Sequence, residues 1–261
     1  MARVFITGSS DGLGLMAGRL LAGEGHRVTL HARNQQRAKD ARHALPEAEG
    51  MVIGDLSTIE GMHEVAEAAN ASGRFDSVIH NAGIGYREPL RVETADGLSQ
   101  VFAVNVVAPY LLTALITRPA RLVYLSSGMH RGGDPRLDDL QWGRRAWNGS
   151  QAYADSKLFD VVLAMAVARR WPSVLSNALE PGWVPTNMGG PGAPDDLEAA
   201  PVTQAWLAVS DDPGATLSGR YYFHQQLRDA NPAAGDVSLQ DGLLATCVDI
   251  TGTTLSDSDL A

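Results

Sequence analysis

The run Arg3-Val4-Phe5-Ile6-Thr7-Gly8-Ser9-Ser10-Asp11-Gly12-Leu13-Gly14 sets a short apolar strand against a turn that holds three glycines. A helical stripe follows at once: Leu13, Met16, Ala17, Leu20 and Leu21 recur at the helical period, and Gly23 and Gly25 close it. Strand, glycine turn and helix open a βαβ unit. In such a turn Gly8 permits the tight exit from the strand, Gly12 lets backbone N–H groups approach a pyrophosphate, and Gly14 lets the helix pack closely on the sheet. The helix N-terminus adds roughly half a positive charge toward that anion. Ser10 and Leu13, in the same turn, join the three glycines as candidate cofactor contacts.

Working outward, apolar runs of strand length recur near residues 27–31, 51–53, 77–80, 121–125, 174–179 and 219–223. Helical stripes separate them at 35–44, 58–71, 98–116, 151–170, 201–209 and 238–250. This alternation predicts an α/β chain: one doubly wound domain over residues 1–261, a seven-stranded parallel sheet with helices on both faces. Two segments break the rhythm, 128–150 and 181–200. Both follow strands, at the end of the sheet where open α/β folds place their ligand crevice, so both are expected to be substrate loops.

Composition narrows the function. With 44% apolar and 20% charged residues the chain is an ordinary globular protein, and a formal charge of −9 offers nothing to phosphate backbones or anionic lipid. Nucleic acid and membranes are not expected partners. The longest apolar run, Val161 to Ala168, is far short of the ~20 residues that span a bilayer, and no export signal opens the sequence. Cys247 is the single cysteine, which with these features predicts a reducing, cytoplasmic setting. The histidines at 26, 31, 43, 63, 80, 130 and 224 show no ligand spacing, so no metal is expected.

The second strand ends His31-Ala32-Arg33-Asn34. The carboxylate that grips the ribose 2′-hydroxyl of NAD is missing, with Ala32 in its place. The Arg33 guanidinium can instead bind a 2′-phosphate through a charge-assisted fork. The balance favours NADP and leaves NAD open, since Asp11 in the glycine turn speaks against a phosphate-rich partner.

The chain holds 19 arginines but only two lysines, Lys39 and Lys157. Lys157 stands four residues after Tyr153 at the head of a helical run, a spacing that presents phenol and ammonium to one site. With six tyrosines and two lysines, chance supplies such a pair roughly 0.05 times. A free phenol, pKa near ~10, resists acid–base work at neutral pH. A cation at about 4 Å and an effective dielectric of ~20 contributes about 4 kcal/mol, or roughly three pKa units. The lysine is therefore expected to bring Tyr153 to working pH.

At these residues the sequence resembles the short-chain dehydrogenase/reductase family, in its compact branch with a Rossmann-type sheet. The glycine turn fits TGxxxGxG. Asn81-Ala82-Gly83 resembles the family's NAG motif, which steadies the sheet under the cofactor, and Asp55-Leu56 resembles the segment beside the adenine. The resemblance implies a catalytic set: Asn105 holding a water for a proton relay, Ser127 orienting the carbonyl, Tyr153 as acid–base and Lys157 as its helper. Pro181-Gly182 matches the turn that closes over the nicotinamide, and Thr186 the nearby residue that can bond its carboxamide. Two departures stand out. His80 replaces a frequent asparagine, and Ser127 and Tyr153 lie 26 residues apart, a wide spacing closer to retinol-dehydrogenase-like and protochlorophyllide-reductase-like relatives.

The expectation that follows is an NADP-dependent oxidoreductase moving hydride between nicotinamide and a small carbonyl or alcohol. A catalytically idle NADP sensor or scaffold, and a non-redox dehydratase or epimerase with retained cofactor, are the alternatives. Trp142, Trp147, Met129, Trp183 and Met188 either build an apolar substrate pocket or pack the two loops onto the body. Arg144-Arg145 offers a carboxylate-binding or a solvated pair. The resemblance also implies a possible homo-oligomer through the helices at 98–116 and 151–170.

Overall fold

The first strand alternates its burden: Val4 and Ile6 face one helical layer and Phe5 the other, so every side chain of β1 (Arg3–Ile6) beyond Arg3 is buried. The computed structural model of the chain describes residues 1–256. Beside β1 lie β2 (Arg27–Ala32) and β3 (Gly50–Ile53) on one side. On the other lie β4 (Ser77–His80), β5 (Arg121–Leu125), β6 (Leu175–Glu180), β7 (Tyr221–Phe223) and β8 (Gln226–Leu227). The order is β3-β2-β1-β4-β5-β6-β7-β8. All pairs through β7 are parallel, as expected; β8 adds an antiparallel edge. Its hairpin turns on His224 and Gln225, both at positive φ, and the Gln225 N–H donates to Thr203 Oγ1. Neither residue is the glycine or asparagine that usually announces such a turn, so nothing in the sequence marked it.

One face carries α1 (Gly12–Gly23), α2 (Gln35–Ala44) and α7 (Val202–Val209). The other carries α3 (Ile59–Ala71), α4 (Gln100–Phe102), α5 (Ala108–Leu115), α6 (Gly149–Arg170) and α8 (Val237–Thr251). The helix expected over 98–116 is interrupted by a π turn at Ala103–Val107, where the Ala108 N–H reaches the Ala103 carbonyl. Pro109 explains the break: it has no N–H to give to the carbonyl four residues back, that of Asn105. The reversal of strand order between β1 and β4 opens a crevice beyond their carboxyl ends, and the site lies there.

The 128–150 segment is more ordered than a bare loop. A 3₁₀ turn occupies Gly128–Gly132, and Leu140 and Trp142 are buried with the body. Arg145 is no solvated or ligand-seeking cation: it pairs with Asp134, Asp139 and Asp155 and lies 3.7 Å over the Trp142 ring. Trp147 packs edge-on against Trp142 and donates its Nε1–H to the Glu88 carbonyl. Both tryptophans thus pack the loop rather than line the crevice.

Candidate functional site

The glycine turn is held from two sides. Gly8 sits at φ +60, where a Cβ would lie 2.6 Å from Ala82 Cα, so only glycine lets β1 and the end of β4 come this close. A Cβ on Gly14 would meet Asn81 Nδ2 at 2.5 Å and the Gly8 carbonyl at 2.7 Å. Asn81 donates Nδ2–H to the Thr7 and Gly8 carbonyls, while Thr7 Oγ1 accepts the Asn81 and Ala82 N–H groups. At Gly12, also at positive φ, a Cβ would meet nothing within 4 Å: this turn faces open space. On the far side His31 Nδ1 accepts the Gly8 N–H at 2.9 Å and Nε2 faces the Gly54 carbonyl at 3.0 Å. An accepting Nδ1 fixes the proton on Nε2 and the ring as neutral. Burial agrees, pushing the His31 pKa down to about 4. Nothing in the sequence separated His31 from the scattered histidines; its partners are set by the register of β2 against β1.

These residues line a crevice of about 430 Å³, in the range of small-molecule sites. Gly8, Ser10, Gly12, Leu13, Arg33, Asp55, Leu56, Asn81, Ala82 and Gly83 form its nucleotide-sized arm, and Tyr153, Lys157, Pro181 and Thr186 its other end. Gly14, Asn105, Ser127 and Gly182 stand behind this lining. Arg37 joins Arg33 at the mouth and pairs with Asp11 at 2.6 Å. That pairing explains why Asp11 caps α1 by position but makes no side-chain cap bond. Positive-φ glycines, converging N–H groups at a helix start and a guanidinium at the rim fit a dinucleotide phosphate.

The four residues of the implied catalytic set converge from three segments. Tyr153 and Lys157 project from α6, with the Lys157 ammonium 5.8 Å from the Tyr153 ring centre. Ser127, two residues past β5, lies beside the Tyr153 phenol, and its Oγ accepts the Met129 N–H. Lys157 Nζ donates to the Leu125 carbonyl and to Asp160 Oδ2, each at 2.7 Å. Asn105 lies in the π turn and spends its amide on its neighbours: Nδ2 donates to the Ile84 carbonyl and to Ser156 Oγ, and Oδ1 accepts the Ile84 N–H.

One expectation needs correction here. Burial pushes the Tyr153 phenol up, the Lys157 charge and the neighbouring Ser127 hydroxyl pull it down, and the net stands above the ordinary value. The lysine alone does not bring it to neutrality, because burial of the phenol outweighs the pull of the ammonium, with the Asp160 carboxylate adding a smaller push in the same direction as burial. The phenol is therefore protonated at neutral pH, a proton donor. No local spacing in the sequence distinguishes Asp160 from a surface aspartate, yet it is 2% exposed.

Met188, from the 181–200 loop, covers the phenol, its Sδ 3.9 Å from the Tyr153 hydroxyl, and the Tyr86 ring centre lies 5.9 Å from that of Tyr153. Of the five apolar candidates Met188 lines the crevice, whereas Trp183 is half exposed and donates its Nε1–H to the Gly189 carbonyl. Thr186 Oγ1 accepts the Gly189 N–H, and Gly182, at φ +91, lies against Asp195, where a Cβ would crowd its carboxylate. Among the described residues no cluster could hold a metal ion and no helix is long and apolar enough to cross a membrane.

Comparison with known proteins agrees with this geometry. The short chain dehydrogenase profile matches residues 2–130. An uncharacterized oxidoreductase of Emericella nidulans is 44% identical over 97% of this chain and 98% of its own length. A short-chain dehydrogenase of Gibberella zeae is 40% identical over the same shares, and human retinol dehydrogenase 13 is 30% identical over 95% of this chain and 84% of its own. In fold, the chain is similar to an uncharacterized protein from Mycobacterium paratuberculosis, with TM-score 0.84, 24% identity, and coverage of 98% and 95%. A metagenomic blue fluorescent protein crystallised with NADPH aligns with TM-score 0.69, 21% identity, and coverage of 84% and 94%. Identity of this extent along nearly the full length, on this sheet order, makes the chain a member of the short-chain dehydrogenase/reductase family of oxidoreductases.

Proposed function

We propose that this protein is an NADP-dependent carbonyl reductase of one catalytic domain, with 181–200 as its substrate loop and 128–150 as a packed brace. The observation that carries the reading is a buried phenol at the end of a dinucleotide-sized crevice, with Ser127 beside it and Lys157 behind it. NADPH, when bound, supplies hydride. Gly8, Ser10, Gly12 and Leu13 would receive its pyrophosphate, and Arg33 the 2′-phosphate. Asp55 and Leu56 would flank the adenine, and Asn81, Ala82 and Gly83 would floor the ribose side. Pro181, Gly182 and Thr186 would hold the nicotinamide carboxamide.

Ser127 and Tyr153 would hydrogen-bond the substrate carbonyl oxygen, and Tyr153 would give it the proton. Lys157 would hold the nicotinamide ribose hydroxyls. Asn105 has no free side-chain donor, so a relay water would be met by its main-chain carbonyl, to which Pro109, four residues on, has no N–H to give. The structure of the blue fluorescent protein with NADPH and the Arg33 rim support NADP over NAD.

The test is NADPH oxidation across a panel of ketones and aldehydes with product analysis. Alcohol formation in proportion to NADPH consumed is the expected outcome. Tight NADPH binding without turnover would replace the reading with a sensor, and substrate conversion without net redox change with a dehydratase or epimerase. Small apolar carbonyls complete the proposal as its substrate class, supported by the apolar Met188 and Ile84 in the crevice lining.

A further inference from the structure

Lys157 and Asp160 are three residues apart on α6, so both side chains leave the same side of the helix. Their separation is 2.7 Å, and Lys157 is 4% and Asp160 2% exposed. A lysine ammonium has three donors. Two are taken by the Leu125 carbonyl and the Asp160 carboxylate, and the crevice, which Lys157 lines, lies before the third. Gly83 lies beside that nitrogen: a Cβ there would stand 3.5 Å from it, at ordinary contact distance.

A buried lysine without a counter-charge gives up its proton, and burial alone can lower its pKa by several units. A buried carboxylate is costly too, and an apolar side chain at 160 would avoid that cost. We propose that Asp160 is a positioning residue of the reductase: its carboxylate keeps Lys157 an ammonium in this enclosed site and fixes it at the end of β5, where its charge serves Tyr153 and the nicotinamide ribose. The catalytic part of this inference rests on the carbonyl-reductase reading; the charge state of Lys157 does not.

The groups around the pair leave this assignment intact. On α6 itself Tyr153 feels both charges. From β5, Tyr124 feels the Asp160 charge, and its hydroxyl is shared with Thr113, which also meets His80 of β4. His80 is neutral, its pKa pushed down to about 3 by burial. On the other elements against α6, Arg131 pairs with Glu180 of β6, His130 bonds the Ser127 carbonyl, Asp241 of α8 pairs with Arg169, and Cys247 lies by Tyr110. The π turn at 103–107 and the 3₁₀ turn at 232–235 contain no titratable side chain. With Asp160 gone, none of these replaces its negative charge on Lys157. The direction of the Lys157 pKa agrees: burial pulls it down, and Asp160, with a smaller part from Tyr153, brings it above its ordinary value.

With two lysines in the chain, the test can be read directly. Lysine labelled with ¹³C at Cε gives two signals, assigned by Lys39→Arg, and each reports the protonation of its own amine. In the wild type the Lys157 signal is expected to stay that of an ammonium to pH 10. In Asp160→Asn it is expected to titrate at least one pH unit lower, and Asp160→Glu to restore it. The carbonyl-reductase reading adds that Asp160→Asn loses about tenfold in kcat/KM one pH unit above its new Lys157 midpoint and recovers as pH falls below that midpoint.

An unchanged Lys157 titration in Asp160→Asn overturns the inference. Should that variant fail to fold, a wild-type Lys157 that loses its proton below pH 10 overturns it equally. A wild type inactive on carbonyls, with the shifted titration intact, would sink the reductase reading and its kinetic corollary while leaving the charge assignment standing.

Discussion

The ring nitrogen Nδ1 of His31 accepts the backbone N–H of Gly8 at 2.9 Å, so a strand-two side chain fixes the first glycine of the phosphate turn. Replacing it with leucine removes the acceptor of a part-buried N–H, a loss of about 1 kcal/mol. Urea unfolding of His31→Leu at pH 7.5 is expected to show that loss, together with weaker nucleotide binding by fluorescence titration. Unaltered stability would mean that the turn holds its shape without the histidine.

The same ring gives stability a pH dependence. The folded pKa of His31 is lowered to about 4 and that of His80 to about 3, against roughly 6.5 unfolded. The unfolded chain therefore takes up protons first, and the stabilisation present above pH 6.5 is lost as pH falls toward 4. Two such groups give at most about 2.7 kcal/mol per pH unit. Asp160, raised to about 6, works in the opposite sense: its contribution is present below its unfolded value and is lost as pH rises through 6. A net fall of about 1.4 kcal/mol per unit between roughly pH 6 and pH 4 is expected from urea midpoints, with a shallower slope in His31→Leu.

Cofactor choice turns on the rim. Arg33→Ala is expected to weaken NADPH about 10- to 100-fold with little change for NADH, because one charge-assisted fork to phosphate is lost. Asp11→Asn frees Arg37 from its 2.6 Å pair and is expected to tighten NADPH. Equal effects of Arg33→Ala on both nucleotides would place the 2′-phosphate elsewhere.

Arg145 anchors the 128–150 segment. Arg145→Leu leaves Asp155, almost fully buried, facing no cation and removes the stacking on Trp142. With Arg145 a quarter exposed, the discounted loss is about 2 kcal/mol, or roughly 4–8 °C in Tm. A melting curve checks this directly, and an unshifted Tm would contradict the brace assignment.

The long helices offered to a partner in the resemblance are covered within this chain. α8 packs on α6 through Leu243, Leu244 and Cys247, and the following segment ties down α5 and the end of α6 through Tyr110 to Thr253 and Trp171 to Ser256. A monomer of 27.7 kDa is therefore expected by light scattering. A dimer would require another face.

Much of the site was legible because its residues mark themselves by local spacing. The glycine turn, the β2 terminus at Arg33 and the Tyr153–Lys157 pair are all readable within eight residues of chain. The seven parallel strands followed from apolar runs between helical stripes. What stayed hidden depends on register and depth. His31 meets Gly8 across paired strands, Asp160 is functional only because it is buried, and the β8 hairpin turns on residues with no turn signature. Whether Trp142 and Trp147 would line a pocket or brace a loop could not be read either, since both choices need the same apolar residues. Their partners, Arg145 and the Glu88 carbonyl, decide for the brace.

The central claim is that the Tyr153 hydroxyl delivers the proton as hydride reaches the carbonyl carbon. Tyr153→Phe keeps the buried ring and removes only that hydroxyl, so NADPH binding should persist while carbonyl reduction falls about 10²- to 10⁴-fold. Paired measurement of NADPH affinity and carbonyl turnover in wild type and Tyr153→Phe decides the matter: retained affinity with collapsed turnover is the predicted result, and turnover within a few-fold of wild type would contradict it.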